Sequence, residues 1–338
     1  MRWSNSRVDA SESVLPGLAR AGLTRSVTTP DFAGMTFHEV TARSALNHVP
    51  DSSRMLPGEW TINPYRGCGH ACVYCYARTS HRYLDLDTGA DFDSQIVVKA
   101  NIVEILRQEL RSRRTPPSRV ALGTSTDPYQ RAEGKYRLMP GIIRALSDYR
   151  VPFSILSKGT LIRRDLAQLY IATQTSPVQL GVSIAIPDEE LQHSLEPGTP
   201  STTARLETVS AIRELGLDCT VFVAPIIPFL TDGDDQLLRL FGAVAAAGAT
   251  GVLFTSLSLG YGFRSWFMQW LARERPELVA PYARLYRGGA NAEPGYLADL
   301  DSRVRAVMTS LGLETGTAVA ERFALLGSRT PETGPTLF

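Results

Sequence analysis

The chain lacks the features of a membrane, secreted or dedicated nucleic-acid-binding protein. Its 338 residues carry a formal net charge of only +1, which gives no general attraction to nucleic acid. The longest apolar stretches, near residues 221–230 and 241–254, are interrupted by proline or diluted by glycine and alanine. They fall short of the roughly 20 apolar residues that span a bilayer. The polar first residues have no apolar segment behind them, so we expect no signal peptide, no membrane association and a cytoplasmic protein.

Cysteine is scarce but concentrated. Three of the four cysteines, Cys68, Cys72 and Cys75, lie within eight residues. Three thiolates on one short loop can bind three irons of a four-iron cluster and leave the fourth iron open to a small molecule. His70 lies among them, so a Cys3His zinc site is the alternative, although zinc ligands usually come as two separated pairs. Cys219 is distant, so a disulfide and a second cysteine-bound cluster are both disfavoured.

The middle of the chain alternates between strand and helix patterns. With 43% hydrophobic and 20% charged residues, the composition is that of a globular protein. The six predicted strands are Thr61 to Pro64, Val120 to Gly123, Phe153 to Ser157, Gln179 to Ala185, Cys219 to Ala224 and Gly251 to Thr255. Segments with helical periodicity separate these strands, and one of the predicted helices ends at Gly216. This pattern predicts an α/β fold, a partial (β/α)6 TIM-type barrel with too few units to close an eight-stranded one.

The two ends of the chain differ from the middle. Residues 1–58 are weakly periodic and are predicted to be an N-terminal extension that wraps the barrel of residues 59–260. Residues 261–338 carry apolar stripes at three- and four-residue steps, which predict a C-terminal helical region with a frayed tail. The aromatic residues of these stripes fit core positions better than a substrate platform.

Polar residues follow the predicted strands, where a barrel of this type collects its reactive loops. Asp127, in the turn after the second strand, can hydrogen-bond an ammonium or a ribose, and Lys158 after the third can neutralise a carboxylate. The apolar turn at Ile226 can face a purine. The further candidates for cofactor binding at these strand ends are Thr126, Ser183 and Arg205. Each also has a structural interpretation as a cap, a buried hydroxyl or a surface side chain.

These motifs together resemble a known family. The cysteine spacing, with an aromatic residue before the last cysteine, resembles the signature of radical S-adenosylmethionine (SAM) enzymes. The order of the later motifs resembles the spore photoproduct lyase branch, over about residues 60–230. Those motifs are Thr126-Asp127, Ser157-Lys158, Ser183, Glu196-Pro197-Gly198-Thr199 with Arg205, and Ala224-Pro225-Ile226. The runs Phe37 to Val40, Asn63 to Cys68 and Thr126 to Glu133 are similar to an actinobacterial group of radical SAM proteins whose substrate is undefined.

The resemblance implies an enzyme with a 4Fe-4S cluster and SAM as cofactors. It implies that Cys68, Cys72 and Cys75 bind the cluster. It implies that Thr126, Lys158 and Ser183 contact SAM and that Tyr74 lies near its adenine. The partners implied are SAM, an external electron donor of the flavodoxin or ferredoxin type and, for a lyase-like reaction, a nucleic acid or nucleotide. We expect a monomer. The alternative is a zinc- or cluster-stabilised module that binds nucleic acid or protein without turnover.

The chain departs from the lyase pattern in one turn. The lyase uses a cysteine after the second strand as hydrogen donor, and the matching turn from Gly123 to Asp127 has none. Tyr129 is therefore a tentative radical relay. A separate hypothesis concerns the arginine-rich segment from Arg107 to Arg119, which is either a solvated helix face or a phosphate-binding surface.

Overall fold

A computed structural model describes residues 7–9, 16–50 and 60–314 of the chain. The first elements are β1 (Arg7–Asp9), α1 (Pro16–Arg20), β2 (Leu23–Thr28), β3 (Thr36–Val40), β4 (Leu46–His48), β5 (Trp60–Ile62), β6 (Tyr65–Arg66), α2 (Ala90–Ser94), β7 (Gln95–Lys99) and α3 (Ile102–Ser112). The central elements are β8 (Val120–Leu122), α4 (Arg131–Tyr136), α5 (Met139–Asp148), β9 (Phe153–Ser157), α6 (Leu166–Ala172), β10 (Val178–Ser183), α7 (Glu189–Leu195) and α8 (Thr202–Glu214). The last are β11 (Cys219–Ile226), α9 (Asp234–Ala246), β12 (Gly251–Ser256), α10 (Arg264–Glu274), α11 (Val279–Leu285) and α12 (Pro294–Ser310).

Six parallel strands form the centre of the molecule. The larger sheet has the order β12-β11-β10-β9-β8-β5-β4, in which β4 alone pairs antiparallel. The other strands are the six predicted ones, each within three residues of its predicted bounds. The prediction of an α/β fold with a partial TIM-type barrel is confirmed. Parallel strands that alternate with helices place their carboxyl ends, and the loops that follow, at one rim.

A second sheet lies outside the barrel strands, and the sequence pattern did not predict it. Its order is β1-β2-β3-β7-β6. Strand β3 from residues 1–58 therefore pairs with β7, and β6 pairs with the other edge of β7. The pairing of β3 with β7 is parallel, from Thr36 opposite Gln95 to Val40 opposite Lys99. The two-residue strand β6 leads directly into the cysteine loop, so this sheet positions the start of that loop.

The helices follow the predicted periodicity. Helix α8 ends where predicted, because Gly216 adopts a φ of +74° and its N–H donates to Arg213 O at 2.8 Å. Helices α10, α11 and α12 bury the residues at the predicted stripe positions, including Phe267, Tyr282 and Val304. Their aromatic rings pack in a core, as predicted. Residues 315–338, including the tail predicted to fray, lie outside the described residues.

The helices also bear on membrane association. Within the described residues, no helix is long and apolar enough to cross a membrane.

Candidate active site

The cysteine loop is held by backbone hydrogen bonds at several points. Gly67, with a φ of +79°, turns the chain out of β6. The N–H of Cys68 donates to Phe92 O at 2.9 Å, and the N–H of Val73 donates to Leu195 O at 2.9 Å. The loop is thus tied to the start of α2 on one side and to the end of α7 on the other.

A close contact between two backbones fixes the loop further. The N–H of Gly198 donates to His70 O at 3.1 Å. A Cβ atom at Gly198 would lie 1.9 Å from Gly69 O, so only glycine fits there. The Glu-Pro-Gly-Thr motif after β10 and the cysteine loop are therefore parts of one site.

The three thiols are shielded from water. Cys68 and Cys72 are buried, and Cys75 is half-buried. Burial raises the pKa of Cys75 to about 11 and also raises the pKa of Cys72. Metal binding must therefore displace protons, since the thiolate is the ligand. Within the part of the chain that the structure describes, no three His, Cys, Asp or Glu side chains are arranged to hold a single metal ion.

This donor set fits a cluster better than zinc. A tetrahedral zinc ion draws its ligand atoms within about 2.0–2.3 Å of one centre, whereas a cluster binds each thiolate through a different iron. His70, the fourth ligand of the zinc alternative, directs Nδ1 to Asp127 Oδ2 at 3.3 Å. The three cysteines therefore suit an iron–sulfur cluster with one iron open.

Asp127 joins the cysteine loop to the ends of β8 and β9. Besides His70, its carboxylate accepts from the Ser157 hydroxyl at 2.6 Å, from the Lys158 N–H at 2.6 Å and from the Tyr129 N–H at 2.8 Å. Burial alone would raise the pKa of Asp127, but His70 and these donors lower it below its ordinary value. Asp127 is thus an ionised carboxylate whose oxygens are used within the protein.

Thr126 and Gln130 support the beginning of the cysteine loop. The Thr126 hydroxyl donates to Gly67 O at 2.8 Å, and the Gln130 amide donates to the same oxygen at 3.0 Å. The Gln130 carbonyl oxygen accepts from the Gly69 N–H at 3.0 Å. The prediction that Thr126 contacts SAM stays a prediction. Gln130 was not predicted to be a site residue, although it lies in the motif from Thr126 to Glu133.

Glu196 is the centre of the second network, and it was not among the predicted site residues. Its carboxylate contacts Arg205 at 2.6 Å and Lys158 at 3.0 Å and accepts from the Tyr74 hydroxyl. Lys158 also donates to the Ser183 hydroxyl at 2.8 Å, and Arg205 donates to Ser183 O at 3.0 Å. Burial would raise the pKa of Glu196, but the two cations lower it well below its ordinary value. The motif around Glu196 was the available signal.

The structure brings most of the predicted cofactor-binding residues together. Tyr74, Asp127, Lys158, Ser183 and Arg205 lie in one connected set of hydrogen bonds and ion pairs. The register of the sheet explains this, since Ser157 pairs with Val182 and so places Lys158 beside Ser183. Polar contacts of this density at the rim are what binding a charged cofactor requires.

The side chains of Ile226 and Tyr129 lie outside that network. Ile226 is buried in the main core at the end of β11. Tyr129 is buried in the same core, and its hydroxyl donates to Asp165 Oδ2 at 3.1 Å. That hydroxyl therefore faces a carboxylate next to α6. The roles of Ile226 toward a purine and of Tyr129 as a relay stay predictions.

Arg78 is a buried residue that sequence reasoning missed. Its guanidinium donates to Cys72 O at 3.0 Å and to Gly89 O at 2.8 Å. It contacts Asp93 at 2.8 Å, and the centroids of the Phe92 and Trp266 rings lie 5.2 Å and 5.0 Å away. Arg78 thus links the cysteine loop to the C-terminal helical region. No spacing rule marks it, because its partners come from distant segments.

Comparison with known proteins agrees with this geometry. The family profile described as the Radical SAM superfamily matches residues 62–241. An uncharacterized protein of Mycobacterium tuberculosis is 52% identical over 318 residues, which cover 93% of this chain and 93% of that protein. A Pseudomonas phage M6 protein called radical SAM Nalpha-GlyT isomerase is 24% identical over 277 residues, 79% of this chain and 55% of that protein.

The solved structures show the shared fold. Spore photoproduct lyase complexed with dinucleoside spore photoproduct superposes with a TM-score of 0.60 at 17% identity and covers 81% of this chain and 79% of that chain. A variant of that lyase with bound AdoMet superposes with a TM-score of 0.59 at 16% identity, with the same coverage.

Proposed function

Because the chain belongs to the radical SAM superfamily, we propose that Cys68, Cys72 and Cys75 hold the four-iron cluster that this family uses. We also propose that the substrate is a nucleic acid or a nucleotide. The chain is a SAM-dependent radical enzyme with a 4Fe-4S cluster and SAM as cofactors. The observation that carries the proposal is the docking of the three-cysteine loop on the Glu196 motif. This docking joins the metal ligands to the charged residues at the rim.

When bound, the cluster would supply the electron for reductive cleavage of SAM, the chemistry by which this family removes a hydrogen atom from a substrate. The protein's own residues bind, orient and exclude water. The side chain of Lys158 is 14% exposed, while those of Glu196 and Arg205 are fully buried. Arg205 balances the charge of Glu196, so the Lys158 ammonium at the solvent side of the network is placed to receive the SAM carboxylate.

Apolar packing around the loop supports the exclusion of water. Cys72, Val73 and Tyr74 share a hydrophobic cluster with Phe267 and Trp270 of helix α10. A radical intermediate needs such shielding, since water and oxygen open side reactions. The C-terminal helical region is thus proposed to cover one side of the site.

The proposal of a nucleic-acid or nucleotide substrate is supported by the neighbours. The structure of the lyase of similar fold contains a dinucleoside photoproduct. The similarity to that lyase is one of fold. The turn from Gly123 to Asp127 lacks a cysteine, so this enzyme is proposed to use another hydrogen donor than that lyase. Tyr129 remains the tentative relay.

Further proposals concern the cellular setting. A small electron-transfer protein of the flavodoxin or ferredoxin type is proposed as reductant, because none of the described residues forms a second cysteine group beside the single cluster loop. A reducing compartment, the cytoplasm, suits an oxygen-sensitive cluster. The protein is proposed to act as a monomer.

The deciding experiment uses anaerobically reconstituted protein, dithionite and SAM. Formation of 5′-deoxyadenosine is expected, and deuterated oligonucleotides or nucleotides are expected to transfer label to it. Cys72→Ala should lose iron and SAM cleavage, whereas the matched Cys219→Ala should keep both, because Cys219 is a core thiol whose pKa burial raises to about 12. Stoichiometric zinc without iron, together with no SAM cleavage, would favour the non-catalytic binding module instead. SAM cleavage that survives in Cys72→Ala would contradict the assignment of Cys72 as a cluster ligand.

A further inference from the structure

A cavity lies on the smaller sheet, away from the cysteine loop. Its volume is about 320 Å³, and α1, the loop after β3, β6 and β7 contribute its walls. The alternation of side chains along β7 explains its position. Ile96 and Val98 point into the main core, whereas Val97 packs with Leu18 and Leu84 in a separate small cluster. Lys99 has the same parity as Val97 and lines the cavity.

The walls of this cavity carry positive charge. Arg20, Arg43, Arg66 and Lys99 line it, together with Ser44 and Asn47, and no acidic residue does. Arg20 is paired with Asp85 at 3.2 Å. Within residues 16–50 and 60–314, no hydrogen bond or ion pair holds the side chains of Arg43, Arg66 or Lys99. Three cationic groups therefore face one space without a counterion from these residues.

Lys99 is the most informative of these residues. It is only 9% exposed and lines the cavity. Burial and the charge of Arg66 lower the pKa of Lys99 to about 8, although Glu109 partly opposes this. An ammonium that is buried without a partner destabilises a fold. An anion bound in the cavity would relieve that penalty.

The arrangement favours a particular anion. Arginine forks bind phosphate through two parallel N–H donors, and lysine adds a point charge. A carboxylate presents two oxygens in one plane, whereas a phosphate group presents acceptor oxygens in several directions and so can contact several cations at once. Ser44 and Asn47 at the same wall donate to backbone carbonyls, Ser44 to Leu46 O at 2.9 Å and Asn47 to Ala45 O at 3.3 Å, so the cations are the groups left to bind the anion.

We propose that this cavity is a second binding site, separate from the cluster, and that it takes a phosphate group. None of the residues that form the networks around Cys68, Asp127 or Glu196 lines it. The inference therefore does not depend on the radical chemistry. A phosphodiester of a nucleic acid and a free phosphate share the chemistry that the site recognises.

The test uses the full chain with its cluster reconstituted. Inorganic phosphate, with chloride at equal ionic strength as the reference, is titrated in a thermal-shift assay and by calorimetry. A fluorescein-labelled 15-nucleotide DNA strand is the second probe. Wild type should bind phosphate with a rise in Tm, and Lys99→Met and Arg43→Gln should each weaken binding at least about tenfold, as expected for a lost charge-assisted hydrogen bond.

Arg239→Gln, which removes an exposed charge from α9, is the matched control and should bind like wild type. Competition between phosphate and the DNA strand, with a lower salt slope in Lys99→Met, would identify a phosphodiester. Binding of phosphate alone would identify a free phosphate. Equal binding in wild type and Lys99→Met, or no binding of either probe to wild type, would overturn the proposal.

Iron content and SAM cleavage are measured on the same variants and should not change. Because these readouts are independent of the phosphate titration, failure of the phosphate site leaves the proposed radical function standing. Conversely, a wild type that binds phosphate but does not cleave SAM would support the phosphate site and contradict the proposed radical function.

Discussion

At the scale of single residues, charge balance decides what the site can bind. Glu196 is fully buried and faces Lys158 and Arg205, so the group of three carries one net positive charge. A buried ion pair is retained where removing one partner would leave a charge unpaired. The surplus charge belongs to Lys158, because Arg205 is enclosed and also binds Ser183 O. That surplus is what a carboxylate ligand would neutralise.

Lys158→Met should therefore weaken SAM binding while leaving iron content unchanged. The expected loss is about 1.5–3 kcal/mol, the range for hydrogen bonds to charged groups. Glu196 keeps Arg205 and Tyr74 in the variant, so the network should persist. Calorimetric titration with SAM on reconstituted protein measures the effect. Lys99→Met, which removes a lysine outside the site, is the matched control. Equal SAM affinity in wild type, Lys158→Met and Lys99→Met would assign Lys158 a structural role only.

At the scale of elements, the cysteine loop depends on a distant segment. The loop follows β6, and the motif that contacts it follows α7. Glycine at position 198 allows the two backbones to touch, and Glu196 beside it reaches Tyr74 of the loop. The geometry of the proposed metal ligands therefore depends on a contact across more than a hundred residues of sequence.

Gly198→Ala tests this contact. Its Cβ would lie 1.9 Å from Gly69 O, which is backbone and cannot rotate away. The loop must shift, so we expect reduced iron content and a loss of stability of roughly 1–3 kcal/mol, as for overpacking. Iron analysis and urea unfolding measure both quantities.

Gly242→Ala is the matched control within α9. A Cβ there has no neighbour within 4 Å, so the change should keep iron and raise helix stability by about 0.5–1 kcal/mol. Full iron content in Gly198→Ala would show that the loop does not need this contact.

The arginine-rich segment separates into residues with different contacts. Arg107 pairs with Asp148 at 2.8 Å, and Arg113 lies over the Trp60 ring at 4.1 Å. Arg119 is buried, while Arg111 and Arg114 are exposed. A phosphate-binding role for this segment stays a prediction.

At the scale of the whole molecule, the buried charge of Lys99 links stability to pH. Its folded pKa of about 8 lies below the ordinary 10.5, so between these values the unfolded chain binds more protons. Stability should therefore rise with pH from about 8 to 10.5, and the penalty below pH 8 is on the order of 3 kcal/mol. Arg20, Arg43, Arg66 and Tyr83 share the cavity.

Urea unfolding of the metal-free protein under anaerobic, reducing conditions measures this dependence. Lys99→Met should be more stable than wild type at pH 7, and the difference should shrink as pH approaches 10. Taking the difference removes the contribution of the other titrating groups. A difference that stays constant with pH would mean that the ammonium is not desolvated.

The sequence by itself determined the cofactor class and the central architecture. Cysteine spacing is a local property of eight residues, and the alternation of strands and helices is readable because apolar periodicity reflects burial on each element. The residues after the strands were identified for the same reason, since parallel strands bring their carboxyl ends to one rim.

Only the tertiary structure decided how those residues are used. It revealed Glu196 as the shared partner of Tyr74, Lys158 and Arg205, and it placed the Tyr129 hydroxyl on Asp165. It also joined the N-terminal strands to β7 and so created the cavity at Lys99. These contacts join segments far apart in sequence. Their formation depends on packing and strand register, which local patterns of hydrophobicity and charge do not encode.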